Sequence, residues 1–139
     1  MSTFLLSLPL AAQQIREIAM PGLPDVAMAT YDQFGPVIYY NPQIMRQVPP
    51  ALARFFRLHE HGHHALNHIR REYFDANPYN RAWVRQQYEK EADCFAARRL
   101  TPLERRQVIA FFVNMQGPNR PDWYHPTGYE RAMVIENCR

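Results

Sequence analysis

The chain has 139 residues, 47% of them hydrophobic and 21% charged, which is the make-up of an ordinary globular protein folding as one domain, 1–139, around a modest core. The net charge of +3, from 16 basic and 13 acidic residues, is mild, and no run of basic residues resembles a nucleic-acid-binding arm, so nucleic acid is not an expected partner. No apolar stretch is long enough to cross a bilayer, and no transmembrane segment is expected.

Residues 4–12 form a short apolar run without the basic stretch that opens an export signal. The run reads as a packed segment of the mature domain, with an export signal removed upstream as the alternative. Residues 11–20 (AAQQIREIAM) place Ile15 and Ile18 at helical spacing and predict a short helix. After PGLP, residues 25–31 alternate Val26, Met28 and Thr30 and suit a strand. Residues 37–40 (VIYY) form a second, strongly β-prone strand, ended by Asn41-Pro42. The two strands predict a hairpin or the edge of a small sheet.

Pro49 and Pro50 stand where a helix can begin. That helix is expected from about Pro50 to Arg71, with Leu52, Phe55, Phe56, Leu66 and Ile69 inward. ANPYN (76–80) is a loop, and a further helix runs from about Arg81 to Leu100. Thr101-Pro102-Leu103-Glu104 is a capping box that opens a helix through VIAFFVNM, and Thr127-Gly128-Tyr129-Glu130 is a second box that opens the last helix. Between them lies an irregular, proline-rich loop, residues 116–126. The fold class expected is α+β, a mainly helical domain with a small hairpin or sheet beside one long helix.

That long helix carries the chemistry. His59, Glu60 and His63 form HExxH. On a helix the two histidines lie one turn apart on one face, where both imidazoles can close on one Zn²⁺. Glu60 then points into the same cleft and can act as base on a metal-bound water. A catalytic zinc needs a third protein ligand, and residues 88–100 (YEKEADCFAARRL) offer Glu89, Glu91 and Asp93. Glu89 and Asp93 are four apart and share a face, whereas Glu91 lies about 200° round from Glu89. Glu89 is the expected ligand. Asp93 is expected to accept the other ring N–H of His59 or His63. Ala92 and Ala96 would allow close helix packing.

HEHGHH, then EKEADCFAA, then HPTGYERA (125–132) together resemble the gluzincin metallopeptidases, in particular the CAAX prenyl endopeptidases and their bacterial heat-shock relatives. The resemblance covers roughly residues 35 to 135. It implies a zincin-like fold, one Zn²⁺ and hydrolysis of peptide bonds in a peptide or unfolded protein. It implies His59, His63 and Glu89 as ligands, Glu60 as base, Asp93 as a supporting residue, and His125 and Arg131 as late active-site residues. The large members of that family carry transmembrane helices, which this chain lacks, and His61 stands where a bulky apolar residue is usual. Proteins of the ImmA/IrrE type share a similar layout, and they imply the alternative of a zinc-dependent regulatory or binding module with little hydrolysis. A purely structural zinc is disfavoured by Glu60, since such a site needs no base.

His64 and His68 are expected at the surface or behind the ligands. His125 is either a loop histidine or, if it faces the cleft, an oxyanion donor in competition with Tyr124 and Tyr129. Arg131 either pairs with a carboxylate near the site or is exposed. The VIYY strand is the candidate edge for an extended substrate. Cys94 and Cys138 are either two buried thiols or one disulfide. A disulfide would favour a periplasmic or secreted protein, and thiols a cytoplasmic one.

Overall fold

In the computed structural model, which describes residues 14–139, the β-prone run at 37–40 forms most of strand β3 (Gly35–Tyr40). Its Val37 and Ile38 are fully buried. Antiparallel β2 (Ala27–Asp32) and parallel β1 (Arg16–Ala19) flank it, in the order β1-β3-β2. The expected hairpin is therefore present, but VIYY is the central strand and not the edge. The free edge on the hairpin side belongs to β2. The Asn41 N–H donates to the Val26 carbonyl at 2.9 Å, and an antiparallel strand bonds its partner through alternate residues. Met28 and Thr30 thus continue the ladder with β3, while Ala27 and Ala29 turn their backbone groups away from it.

The short helix expected over residues 11–20 is corrected: its described part holds β1. Four residues, Arg16–Ala19, pair with Val37–Tyr40, and this pairing outweighs a weak helical periodicity. Arg16 reaches across the sheet to an ion pair with Asp32. The packed apolar segment expected over residues 4–12 lies outside the described residues.

Six helices follow among the described residues. Asn41-Pro42 does not merely end β3. The Asn41 side chain accepts from the Gln43 and Ile44 N–H groups at 2.9 and 3.3 Å, and so opens α1 (Pro42–Gln47). The single helix expected from Pro50 to Arg71 is two: α2 (Pro50–Ala65) and α3 (His68–Asp75). Between them Asn67 takes the left-handed conformation, φ 56°, which asparagine tolerates better than most residues. Helix α4 (Arg81–Ala97) follows, then α5 (Pro102–Phe111), which loosens into a π-helical turn over Phe112–Gln116, and α6 (Gly128–Asn137). Both capping boxes close as expected.

The core lies where α2, α4, α5 and α6 meet, around Leu52, Phe55, Ala96, Val108, Phe112 and Ile135. Fully buried Ala92 and Ala96 let α4 come up to α2. Gly62 serves the same contact from α2, since a Cβ there would stand 3.0 Å from the Phe95 side chain. The sheet packs on the other flank of α2, through β2 and β3. Among the described residues no helix is long and apolar enough to cross a membrane.

Cys94 on α4 and Cys138 after α6 form a disulfide, with Cα atoms 5.5 Å apart. The bridge spans 44 residues, so its reduction is expected to lower the unfolding free energy by about 4 kcal/mol on a chain-entropy scale. Urea melts with and without reductant measure this directly.

Candidate metal centre

Helix α2 runs unbroken through residues 59–63, so His59 and His63 project from one face one turn apart. Their Nε2 atoms stand 3.0 Å from each other. Helix α4 brings Glu89 against both: one carboxylate oxygen is 3.0 Å from His59 Nε2, the other 3.2 Å from His63 Nε2. Ligands about 2.05 Å from a common tetrahedral centre stand about 3.3 Å apart, so the three side chains fit one small cation with little movement. His59, Glu60 and His63 also bring ligand atoms within 4.8 Å of one another and could hold a metal ion. Glu60, however, is engaged elsewhere, accepting the Ala29 N–H at 2.8 Å, whereas Glu89 faces the two imidazoles alone.

The far side of each imidazole is committed. His59 Nδ1 lies 2.8 Å from Asp93 Oδ1, and because an ionised carboxylate only accepts, Nδ1 keeps a proton, so Nε2 is the atom that can give up its own proton and offer a lone pair to a metal. Asp93 is fully buried and takes a bidentate grip from Arg131, with Nε to Oδ2 at 2.9 Å and Nη2 to Oδ1 at 2.7 Å. The orienter left open between His59 and His63 thus stands on His59, and Arg131 is buried and paired. His63 has no such acid. Its Nδ1 lies 2.8 Å from His68 Nδ1, and His68 Nε2 lies 2.7 Å from Glu91 Oε2.

Electrostatics follow from this packing. Burial pushes the Glu89 carboxyl up, but the two imidazoles outweigh it and hold it well below the usual range. Burial also opposes ionisation of Asp93, and the Arg131 guanidinium overcomes it and keeps the carboxyl low. For His59, burial alone would lower the imidazole, yet Glu89 and Asp93 lift it to about 10. For His68, burial dominates and carries it down to about 4.

A cavity of ≈ 580 Å³ opens over the cluster. One wall is β2, whose Ala27 and Ala29 line it. The opposite wall comes from α3, α4 and the loop before α6. His125 stands on that wall, with Nδ1 2.8 Å from Asp122 Oδ1 and Nε2 4.0 Å from Glu89 Oε2. Tyr124 lines the same wall beneath the Arg85 guanidinium, 4.7 Å from its ring. Tyr129 is half exposed and does not line the cavity. His61 points out of the other side of α2 and meets Glu17 of β1 at 2.9 Å, a polar contact in place of the apolar packing that its departure from the usual bulky apolar residue put in question. His64 is buried on the sheet side, donating from Nε2 to the Val37 carbonyl at 3.0 Å.

The structure therefore brings His59, Glu60, His63, Glu89, Asp93, His125 and Arg131 to one cleft. It places His68 behind the ligands, one of the two positions expected for it, and adds two contributors that the sequence alone did not assign there, Glu91 and the Ala29 backbone. No family model, curated protein or solved structure matches the chain, so a function can be argued only from the geometry of this centre.

Two outcomes are expected from this arrangement. His59, raised to about 10 in the metal-free chain, contributes stability present below its unfolded pKa of about 6.5 and lost as pH rises through about 10. A metal that takes Nε2 displaces that proton, so uptake of a divalent cation at pH 8 should release about one proton. Titration calorimetry in buffers of differing ionisation enthalpy reads it. Arg131→Leu strands the buried Asp93 charge and should cost about 3–5 kcal/mol of stability, measured by chemical denaturation.

Proposed function

We propose that the protein is a zinc-dependent endopeptidase of the gluzincin kind. The observation that carries this reading is the convergence of two imidazole Nε2 atoms and the Glu89 carboxylate, with Glu60 and an open cleft alongside. Two imidazoles and a carboxylate are a donor set suited to zinc. Zinc held there would supply a Lewis acid and bring the pKa of a water near 7.

The chain's own residues account for the remaining steps. Glu60 is the general base: it takes a proton from the attacking water and passes it to the leaving amine. Its anchor on the Ala29 N–H fixes where that carboxylate stands and ties the base to the β2 edge. Ala27, with backbone groups turned out of the sheet, and the outward Ala29 carbonyl, whose N–H partner is held by Glu60, offer an extended peptide a strand to pair with. His125 holds Asp122 through Nδ1, and its Nε2, when protonated, donates to the oxyanion that forms at the scissile carbonyl. The Cys94–Cys138 bridge supports an oxidising compartment, periplasmic or extracellular, in which the substrate would be a peptide or an unfolded protein.

Incubating the zinc-loaded chain with unfolded proteins and a peptide panel, with and without chelator, is the direct test. Chelator-sensitive cleavage is expected. Its absence across the panel would turn the reading to a zinc-dependent binding module. Glu60→Gln should keep zinc and lower turnover by about 10²–10⁴-fold; unchanged turnover would remove Glu60 as the base.

A further inference from the structure

His59 is oriented by an acid, but His63 is not, and the difference has a structural cause. The chain leaves α2 at Leu66, turns through left-handed Asn67 and re-enters a helix at His68. That turn swings His68 back onto His63, five residues earlier, with the two Nδ1 atoms 2.8 Å apart. One of the pair must donate. His68 Nε2 faces the Glu91 carboxylate at 2.7 Å, so it carries the His68 proton and leaves Nδ1 as the acceptor. His63 Nδ1 is therefore the donor, and His63 Nε2, 3.2 Å from Glu89, is the atom left for a metal to take.

The rest of the cluster holds His68 in this state. Its ring is buried and stacks on Tyr88, with centroids 4.4 Å apart and planes within 13°. The Tyr88 hydroxyl donates to Asp75 at 2.8 Å, at the far end of α3. Arg71 also sits over the Tyr88 ring, 5.0 Å from its centroid, and donates to Glu91 Oε2 at 3.0 Å. His68, Tyr88, Arg71 and Glu91 thus make one interlocked unit between α3 and α4 that meets the centre through the His68–His63 contact.

We infer that His68, backed by Glu91, is a positioning residue that sets the tautomer and ring orientation of His63 and thereby the strength with which the centre holds its metal. The inference rests on the proposal that this centre binds zinc. It assigns the relay His63–His68–Glu91 the task that Asp93 performs for His59. A neutral imidazole accepts less strongly than a carboxylate, so the outer acid matters: Glu91 polarises His68 and makes its Nδ1 a better acceptor.

The test measures zinc affinity of the whole chain by competition with a chromophoric chelator, for the parent and three variants. His68→Phe keeps a ring for Tyr88 to stack on but offers His63 no acceptor, and should weaken binding by about 10–100-fold. His68→Asn places an amide oxygen near the position of Nδ1 and should recover most of that loss, which a merely space-filling role would not allow. Glu91→Ala leaves the core intact, since Glu91 is partly exposed, and should weaken binding by several-fold, on the order of 10. In nitrogen-15 spectra of the zinc-loaded parent, His63 should show a solvent-protected Nδ1–H that is lost in His68→Phe. A Glu91→Ala variant that binds zinc like the parent overturns the relay, and it does so even if His68→Phe fails to fold. An Asn variant as weak as Phe overturns it as well. A parent chain that takes up no zinc overturns the metal centre itself, which distinguishes the two failures.

Discussion

The arrangement depends on one buried carboxylate. Asp93 has no exposure to solvent, and burying an ion there is tolerable only because Arg131 meets it with two hydrogen bonds and His59 with a third. These contacts join three helices: α2 through His59, α4 through Asp93 and α6 through Arg131. The register of α4 on α2 that lets Asp93 reach His59 also puts Glu89, one turn earlier, against the Nε2 side of both imidazoles. Arg131 in turn stands over the Phe112 ring at 4.3 Å, with the Phe55 ring 6.0 Å away, so the ion pair is built into the apolar core. The Cys94–Cys138 bridge fastens the same two helices that the ion pair fastens, one residue beyond Asp93 on α4 and just past the end of α6.

The two sides of the cluster are held differently. On the α4–α6 side the support is a charge pair in the core. On the α3 side it is a stack of neutral and half-exposed groups that ends in Glu91 and Arg71 near solvent. On the third side the sheet contributes only backbone: β2 is an edge because β3 takes the centre, and its outward Ala29 N–H captures Glu60. Small side chains at 27 and 29 keep that edge accessible. The cleft is thus bounded by a strand that can pair and by a helical wall carrying His125, the arrangement on which the proposed peptidase activity relies.

Much of the helical frame was legible in the sequence, because its signals are local. Two capping boxes, Pro50 at a helix start and the alternation of residues 25–31 each depend on neighbours a few positions apart. The HExxH spacing and the four-residue step from Glu89 to Asp93 are equally local, since a helix converts those intervals into one face whatever surrounds it. The α+β class followed from these elements together. The elements that differ from expectation are short or marginal: four residues of β1 acquired their conformation from β3, and a helix pattern continuous through residue 71 gave no strong sign of stopping at Asn67.

By itself, then, the order of residues determined which side chains share a helical face, and so proposed the pair of histidines, the base and the acids. Which acid meets which imidazole was decided only in three dimensions. Asp93 serves His59 because α4 crosses α2 at Ala92 and Ala96. His68 and Glu91 reach His63 because one left-handed residue reverses the chain. The site edge is β2 because β1 claims the other side of β3. Apart from the five-residue return of His68 onto His63, these are contacts between segments distant in the chain, set by packing and hydrogen-bond satisfaction, and no local periodicity encodes any of them.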